Sequence, residues 1–203
     1  MQVTILGASG KTGMQVVDQA LEAGYTVNAL VRNPESLKEA ANLYVFVGNA
    51  TSIKDVTRAS QGSNVIISTL GTNSTKSTLM TDTVNAVIAA SNATGVKRFI
   101  LMSSFGVSRN SLGGAMKLIG GVMKSMFKDK VNSEAILRAS DLDWTIVHAA
   151  ALNNQPKGSG LRVIPKTEKL NIKNKIARAD VAAWMLKEAK ENAYNKAETT
   201  ISR

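Results

Sequence analysis

The chain opens on an apolar run, Val3-Thr4-Ile5-Leu6, that feeds directly into Gly7-Ala8-Ser9-Gly10-Lys11-Thr12-Gly13. Three glycines at that spacing, after a strand and ahead of an amphipathic helix, sharply limit what the chain can fold into. The first permits a tight turn with backbone torsions that other residues avoid. The second lets a diphosphate approach the main chain, and the third lets the following helix pack closely on the sheet. The helix beginning near Lys11 then aims its free amide hydrogens, with their partial positive charge, at that diphosphate. The segment predicts a dinucleotide cradle built from Gly7, Ser9, Gly10, Lys11, Thr12 and Gly13.

The rest of the pattern agrees. Short β-rich runs near residues 2–6, 25–31, 44–47, 64–69, 98–102 and 144–147 alternate with helical stretches. Met14, Val16, Val17, Ala20 and Leu21 recur at helical spacing, as do Val84, Val87 and Ile88 in a longer helix. Such alternation predicts an α/β fold: a doubly wound, Rossmann-type parallel sheet with helices on both faces and right-handed crossovers. Residues 153–175 break the rhythm, being rich in Asn, Lys, Gly and Pro around one short strand candidate, Leu161–Ile164. A helix over 178–189 and a closing strand at 199–201 follow. The expectation is one domain over residues 1–203, with 153–175 as an irregular insertion on the substrate side. That insertion would form a small lid-like subdomain over the crevice at the carboxyl ends of the strands.

Composition narrows the chemistry. With no cysteine, disulfides, thiol nucleophiles and thiolate metal sites are excluded, and a single histidine, His148, gives zinc too few ligands. No metal is expected. No apolar run reaches the roughly 18 residues that cross a bilayer, and a strand from residue 2 leaves no room for a targeting peptide. A cytoplasmic protein without a membrane partner is the expectation, a monomer or a homodimer. The net charge of +10 gathers late, with twelve Lys and Arg against five Asp and Glu between Lys117 and Arg178. Such a surface attracts a polyanionic cofactor. At 4% aromatic residues there is little to stack bases on, so nucleic acid is not the expected partner.

The second strand ends in Val31-Arg32-Asn33-Pro34. An NAD binder usually offers Asp or Glu there to the ribose hydroxyls. Arg32 instead matches a 2′-phosphate in charge and bidentate geometry, with Lys11 as a second cation, so NADP(H) is the expected cofactor. Gly48 and Asn49 follow the third strand, where the Asn side chain would meet the adenine edge. Thr69, Leu70 and Gly71 follow the fourth and would run under the ribose.

These segments, together with Phe99-Ile100-Leu101-Met102-Ser103-Ser104, resemble the extended and atypical short-chain dehydrogenase/reductases. The likeness is especially to the NmrA-like and biliverdin/flavin-reductase-like NAD(P)H-binding proteins. Lys130-Val131-Asn132-Ser133-Glu134, the run Leu137 to Val147, and Ala179-Asp180-Val181-Ala182 extend the likeness along nearly the whole chain. Family members that oxidise alcohols use a Ser, a Tyr and a Lys, with the Tyr four residues before the Lys as proton donor. The resemblance puts the lysine at Lys130 and the serine at Ser103 or Ser104, but Met126 stands where the tyrosine belongs. That argues against an ordinary ketone reductase.

Ser103 or Ser104 would then hold the cofactor's carboxamide or a substrate carbonyl. His148, at the end of the sixth strand, would serve as a proton relay near neutral pH. Met102, Met116, Met123 and Met126, with Leu112, Leu118 and Phe127, would wall an adaptable pocket for a planar apolar molecule. Two functions fit: an NADPH-dependent reductase of a small conjugated acceptor such as a flavin or quinone, or a non-catalytic NADP(H) sensor of the NmrA-like type.

Overall fold

The computed structural model describes residues 1–71, 74, 76–107, 120–158, 160–168, 170 and 173–203, with the backbone alone for 120–126. Its strands are β1 (Gln2–Leu6), β2 (Thr26–Val31), β3 (Leu43–Val47), β4 (Val65–Ser68), β5 (Arg98–Ser104) and β6 (Asp143–Ala149). They continue with β7 (Ala151–Asn153), β8 (Arg162–Ile164), β9 (Lys175–Ala177) and β10 (Ala197–Ser202). The helices are α1 (Lys11–Glu22), α2 (Ile53–Ser60), α3 (Leu79–Thr94), α4 (Gly120–Arg138) and α5 (Arg178–Glu191).

Eight strands form one sheet in the order β3-β2-β1-β4-β5-β6-β10-β8, parallel except where β8 runs antiparallel to β10. The winding reverses between β1 and β4, which opens a crevice at their carboxyl ends. Period-two alternation explains the layering. On β1, Val3 and Ile5 join the core beneath α1 and α5, while Leu6 joins the core beneath α2, α3 and α4. Thr4 shares the second face, where its hydroxyl donates to Ala59 O at 3.0 Å; Asn28 Nδ2 of β2 reaches the same carbonyl at 2.7 Å. The carbonyl end of α2 is thus tied to the sheet by buried polar groups with partners.

The sequence pattern left three elements unmarked. One is α2, capped by Ser52 Oγ, which accepts from Asp55 N at 3.3 Å. The others are β7 and β9, a parallel pair apart from the main sheet. Within the 153–175 stretch, the strand expected at 161–164 is β8, which adds itself to the sheet as an edge strand. Arg203 pins this stretch, donating to Gln155 Oε1, Pro156 O and Asp180 Oδ2 at 3.1, 3.0 and 2.6 Å. Asp180 also accepts from Gly158 N at 2.8 Å, so its place in the first turn of α5 holds the stretch as well as suiting the helix dipole. Lys157, Leu161 and Val163 border a groove against Trp184 and Tyr194, whereas the strand-end crevice meets the flanks of the stretch, Leu152 and Arg178. No described helix is long and apolar enough to cross a membrane.

Candidate dinucleotide and substrate site

The turn after β1 has the geometry its glycines predict. Gly7 sits at φ 82°, and its carbonyl accepts from Gly10 N at 3.0 Å. A Cβ on Gly13 would stand 2.0 Å from Gly7 O, so α1 rests directly on the turn. Thr69, just past β4, donates through Oγ1 to Gly7 O at 3.2 Å and through its main-chain N to Leu6 O at 3.0 Å. These bonds fix the turn from the neighbouring strand.

A cleft of about 350 Å³ opens here. Its walls bring together Gly7, Ser9, Gly10, Arg32, Gly48, Asn49, Thr69, Leu70 and Gly71. Leu30, Val31, Ala50, Thr51 and Leu79 complete it, apolar or small positions that the sequence reading did not assign to the site. Lys11, Thr12 and Gly13 lie off the walls: Lys11 is exposed on the first turn of α1, while Thr12 and Gly13 are buried under it. Their contribution is to place the helix start. Asn49 Oδ1 accepts from Thr51 N at 3.1 Å and its main-chain N donates to Asp55 Oδ2 at 3.0 Å, so its side chain offers the cleft an NH₂ donor. The bond from Asn49 N, with help from Ser52 and the charges of Arg58 and Lys54, holds the Asp55 carboxyl below its ordinary pKa. A turn with no room for a Cβ at Gly13, a helix N-terminus behind it, and a cation at the end of β2 fit a dinucleotide phosphate.

A second cavity, of about 470 Å³, adjoins the first at Gly71, which lines both. Met102, Ser103, Ser104, Phe127, Lys130, Ala149, Leu152 and Arg178 border it. Met102 and Phe127 thus stand where the apolar wall was expected. Leu112, Met116 and Leu118 lie outside the described residues, as do the side chains of Met123 and Met126.

Lys130 is partly buried, 3.6 Å from Met80 Sδ, and desolvation lowers its pKa although Asp129 and Glu134 pull the other way. Its height is set by Asp129, whose two oxygens accept from Met80 N and Thr81 N, each at 2.9 Å, at the start of α3. One carboxylate thereby caps α3 and locks α4 against it. Asp129→Ala is expected to lower stability by about 2 kcal/mol, read as a reduced urea midpoint; an unchanged midpoint would show that the cap is dispensable.

His148 stands behind the crevice wall, not on it. Phe99, Leu101 and Ser103 alternate on the α4 face of β5, as Trp144, Ile146 and His148 do on β6, and Ser103 pairs in register with His148. Both reach Glu134, a residue that sequence reasoning assigned no role. Glu134, His148 and Glu198 present ligand atoms within 4.8 Å of one another, but Arg138 donates to both carboxylates, at 2.7 and 2.6 Å, and supplies the cation there. Arg178 was missed as well. It opens α5, lines the crevice and donates to Asn154 Oδ1 at 2.6 Å.

A doubly wound sheet, a glycine turn under a helix start and a cleft at the switch point define a dinucleotide-binding protein. The chain belongs to the NAD(P)H-binding family, whose pattern matches residues 7–192. It is 29% identical over 208 residues to YhfK of Bacillus subtilis, named an uncharacterized sugar epimerase, covering 97% of this chain and 92% of that one. Among solved structures it resembles a short-chain dehydrogenase/reductase of Veillonella parvula in complex with NADP, with a TM-score of 0.81 and 18% identity over 100% of this chain and 94% of the other. It also resembles ChuY, an anaerobillin reductase of Escherichia coli O157:H7, with a TM-score of 0.79 and 24% identity over 99% and 96% of the two chains. These likenesses show the same Rossmann-type fold along nearly the whole chain.

Proposed function

We propose that this protein is an NADPH-dependent reductase of a small conjugated acceptor, of the flavin or quinone kind, that bears an anionic substituent. The observation that carries this reading is the second cavity, continuous with the nucleotide cleft at Gly71, apolar at Met102, Phe127 and Leu152 and cationic at Lys130 and Arg178. Among the described residues no acidic side chain borders it. The NADP complex of the Veillonella protein supports the cofactor, and the activity named for ChuY supports a reductase.

A bound reduced nicotinamide supplies the hydride; the residues of the chain bind and orient. Main-chain amides in the first turn of α1 would grip the diphosphate, and Arg32 would take the 2′-phosphate. Lys130, its Nζ 3.7 Å from where a Cβ of Gly71 would stand, holds the ribose hydroxyls. The apolar wall at Met102, Phe127 and Leu152 would seat the acceptor. No tyrosine borders the cavity: Tyr44 is exposed on β3, Tyr194 packs on Trp184 with ring centroids 5.5 Å apart, and Tyr25 precedes β2. A flavin or quinone needs no such acid, because solvent protonates it once the hydride has arrived.

The decisive assay is NADPH oxidation against a panel of flavins and quinones. Turnover supports the reductase; tight NADPH binding with no turnover of any acceptor replaces it with a nucleotide sensor. Within the active panel, Arg178→Gln should raise KM for carboxylate-bearing acceptors about fivefold and leave neutral ones near wild type. An equal change for both kinds would remove Arg178 from acceptor recognition.

A further inference from the structure

The Glu134 side chain is only 1% exposed, and three elements send donors to it. Ser103 Oγ on β5 lies 2.6 Å from Oε1, and His148 Nε2 on β6 lies 3.0 Å from the same oxygen. Arg138 Nη2, one turn further along α4, lies 2.7 Å from Oε2. Burial pushes the carboxyl pKa up, but hydrogen bonds from His148 and Ser103 and the charge of Arg138 hold it below the ordinary glutamate value. An ionised carboxylate only accepts. The Ser103 hydroxyl must therefore donate inward, and it presents lone pairs to the cavity that Ser103 lines.

We propose that Glu134 is a positioning residue that makes Ser103 an obligate hydrogen-bond acceptor, and that the donor it takes is the carboxamide NH₂ of the bound nicotinamide. The proposal rests on the cofactor reading above. Arg32 and Asn49 mark the adenosine end of the cleft beyond β2 and β3, and Gly7 and Gly10 mark the diphosphate beside β1. A dinucleotide laid across those strand ends passes Gly71 and brings its far ring to the end of β5, where Ser103 stands. A serine with a free proton would accept either side of a carboxamide. Glu134 removes that ambiguity, so one rotamer of the carboxamide, and with it one placement of the ring, is favoured.

The test compares the binding of NADP and its 3-acetylpyridine analogue, which carries a methyl group in place of the carboxamide NH₂. It is read by intrinsic fluorescence or calorimetry with no acceptor present. The wild type should bind NADP roughly fivefold more tightly than the analogue, the worth of one ordinary hydrogen bond. In Glu134→Gln the ratio should fall to near unity. Arg138 can only donate, so the new amide turns its oxygen to Arg138 and its NH₂ to Ser103, which reverses the serine. Ser103→Ala should also bring the ratio to near unity, and it decides the matter if Glu134→Gln does not fold. A merely structural role for Glu134 would weaken both ligands alike. Equal wild-type affinities, or a preference that survives in Ser103→Ala, overturn this assignment while nucleotide binding stands. A wild-type protein that binds neither ligand overturns the cofactor reading and this proposal together.

Discussion

Arg32→Glu should invert the nucleotide preference, weakening NADPH about a hundredfold while tightening NADH. Arg32 lines the cleft one residue past the end of β2, opposite the Gly48-Asn49 turn. A guanidinium there offers paired N–H donors to a 2′-phosphate, and charge-assisted bonds of this sort contribute about 1.5–3 kcal/mol each. Substitution by Glu removes them and sets a carboxylate against the phosphate dianion, so a loss of about 3 kcal/mol is expected. The same carboxylate accepts from the two hydroxyls of an unphosphorylated ribose, which is how acidic residues at this position select NADH. The measurement is the ratio of dissociation constants for NADPH and NADH in both proteins. A ratio that stays put would mean that the 2′-phosphate lies elsewhere, and Lys11 on the exposed first turn of α1 would become the residue to change.

Arg32 was legible in the sequence because it belongs to a local pattern: a strand, its end, and the residue after it. The same holds for much of the nucleotide half of the site. Gly7, Gly48, Asn49, Thr69 and Leu70 also follow a strand end by one or two positions, so the strands and the glycine turn announce them together, whereas nothing local marks Thr51 or Leu79. The strands of the main sheet were legible for the same reason, whereas β7 and β9, three residues each, have no period to read. The antiparallel pairing of β8 was invisible, since nothing local distinguishes an edge strand that turns back from one that continues.

Glu134 shows where the reading fails and why. Between Lys130 and Arg138, each four residues away on a helix, it has the look of a solvated charge flanked by i,i+4 partners. Only the tertiary fold lays that face of α4 over the ends of β5 and β6, where Ser103 and His148 project from adjacent strands in register. His148 was placed at the strand end correctly, yet the two-residue alternation aims it at α4 and not into the cavity. Arg178 was hidden differently. It is one cation among many in a basic stretch, and only the cavity outline singles it out.

Gly13→Ala is expected to be the most damaging small substitution in the chain. The added methyl would meet Gly7 O at 2.0 Å, Gly7 C at 2.8 Å and Ala8 Cα at 2.9 Å, all of them main chain with no flexible end to swing away. Nor can Gly7 O retreat, because it already accepts from Gly10 N and Thr69 Oγ1. The helix must lift from the turn instead, which costs roughly 3 kcal/mol as overpacking. It also carries the amides at the start of α1 away from the diphosphate. Gly24→Ala is the useful contrast. That residue sits at φ 73° with nothing within 4 Å of a built Cβ, so the change costs about 1 kcal/mol of backbone strain and leaves the cleft untouched. Urea unfolding without ligand, paired with nucleotide titration at low temperature, separates the two. Gly24→Ala should lose a little stability and no affinity, whereas Gly13→Ala should lose both. A Gly13→Ala protein that unfolds like the wild type and still binds NADPH would mean that α1 does not rest on the turn, and the diphosphate cradle would have to be sought elsewhere in the fold.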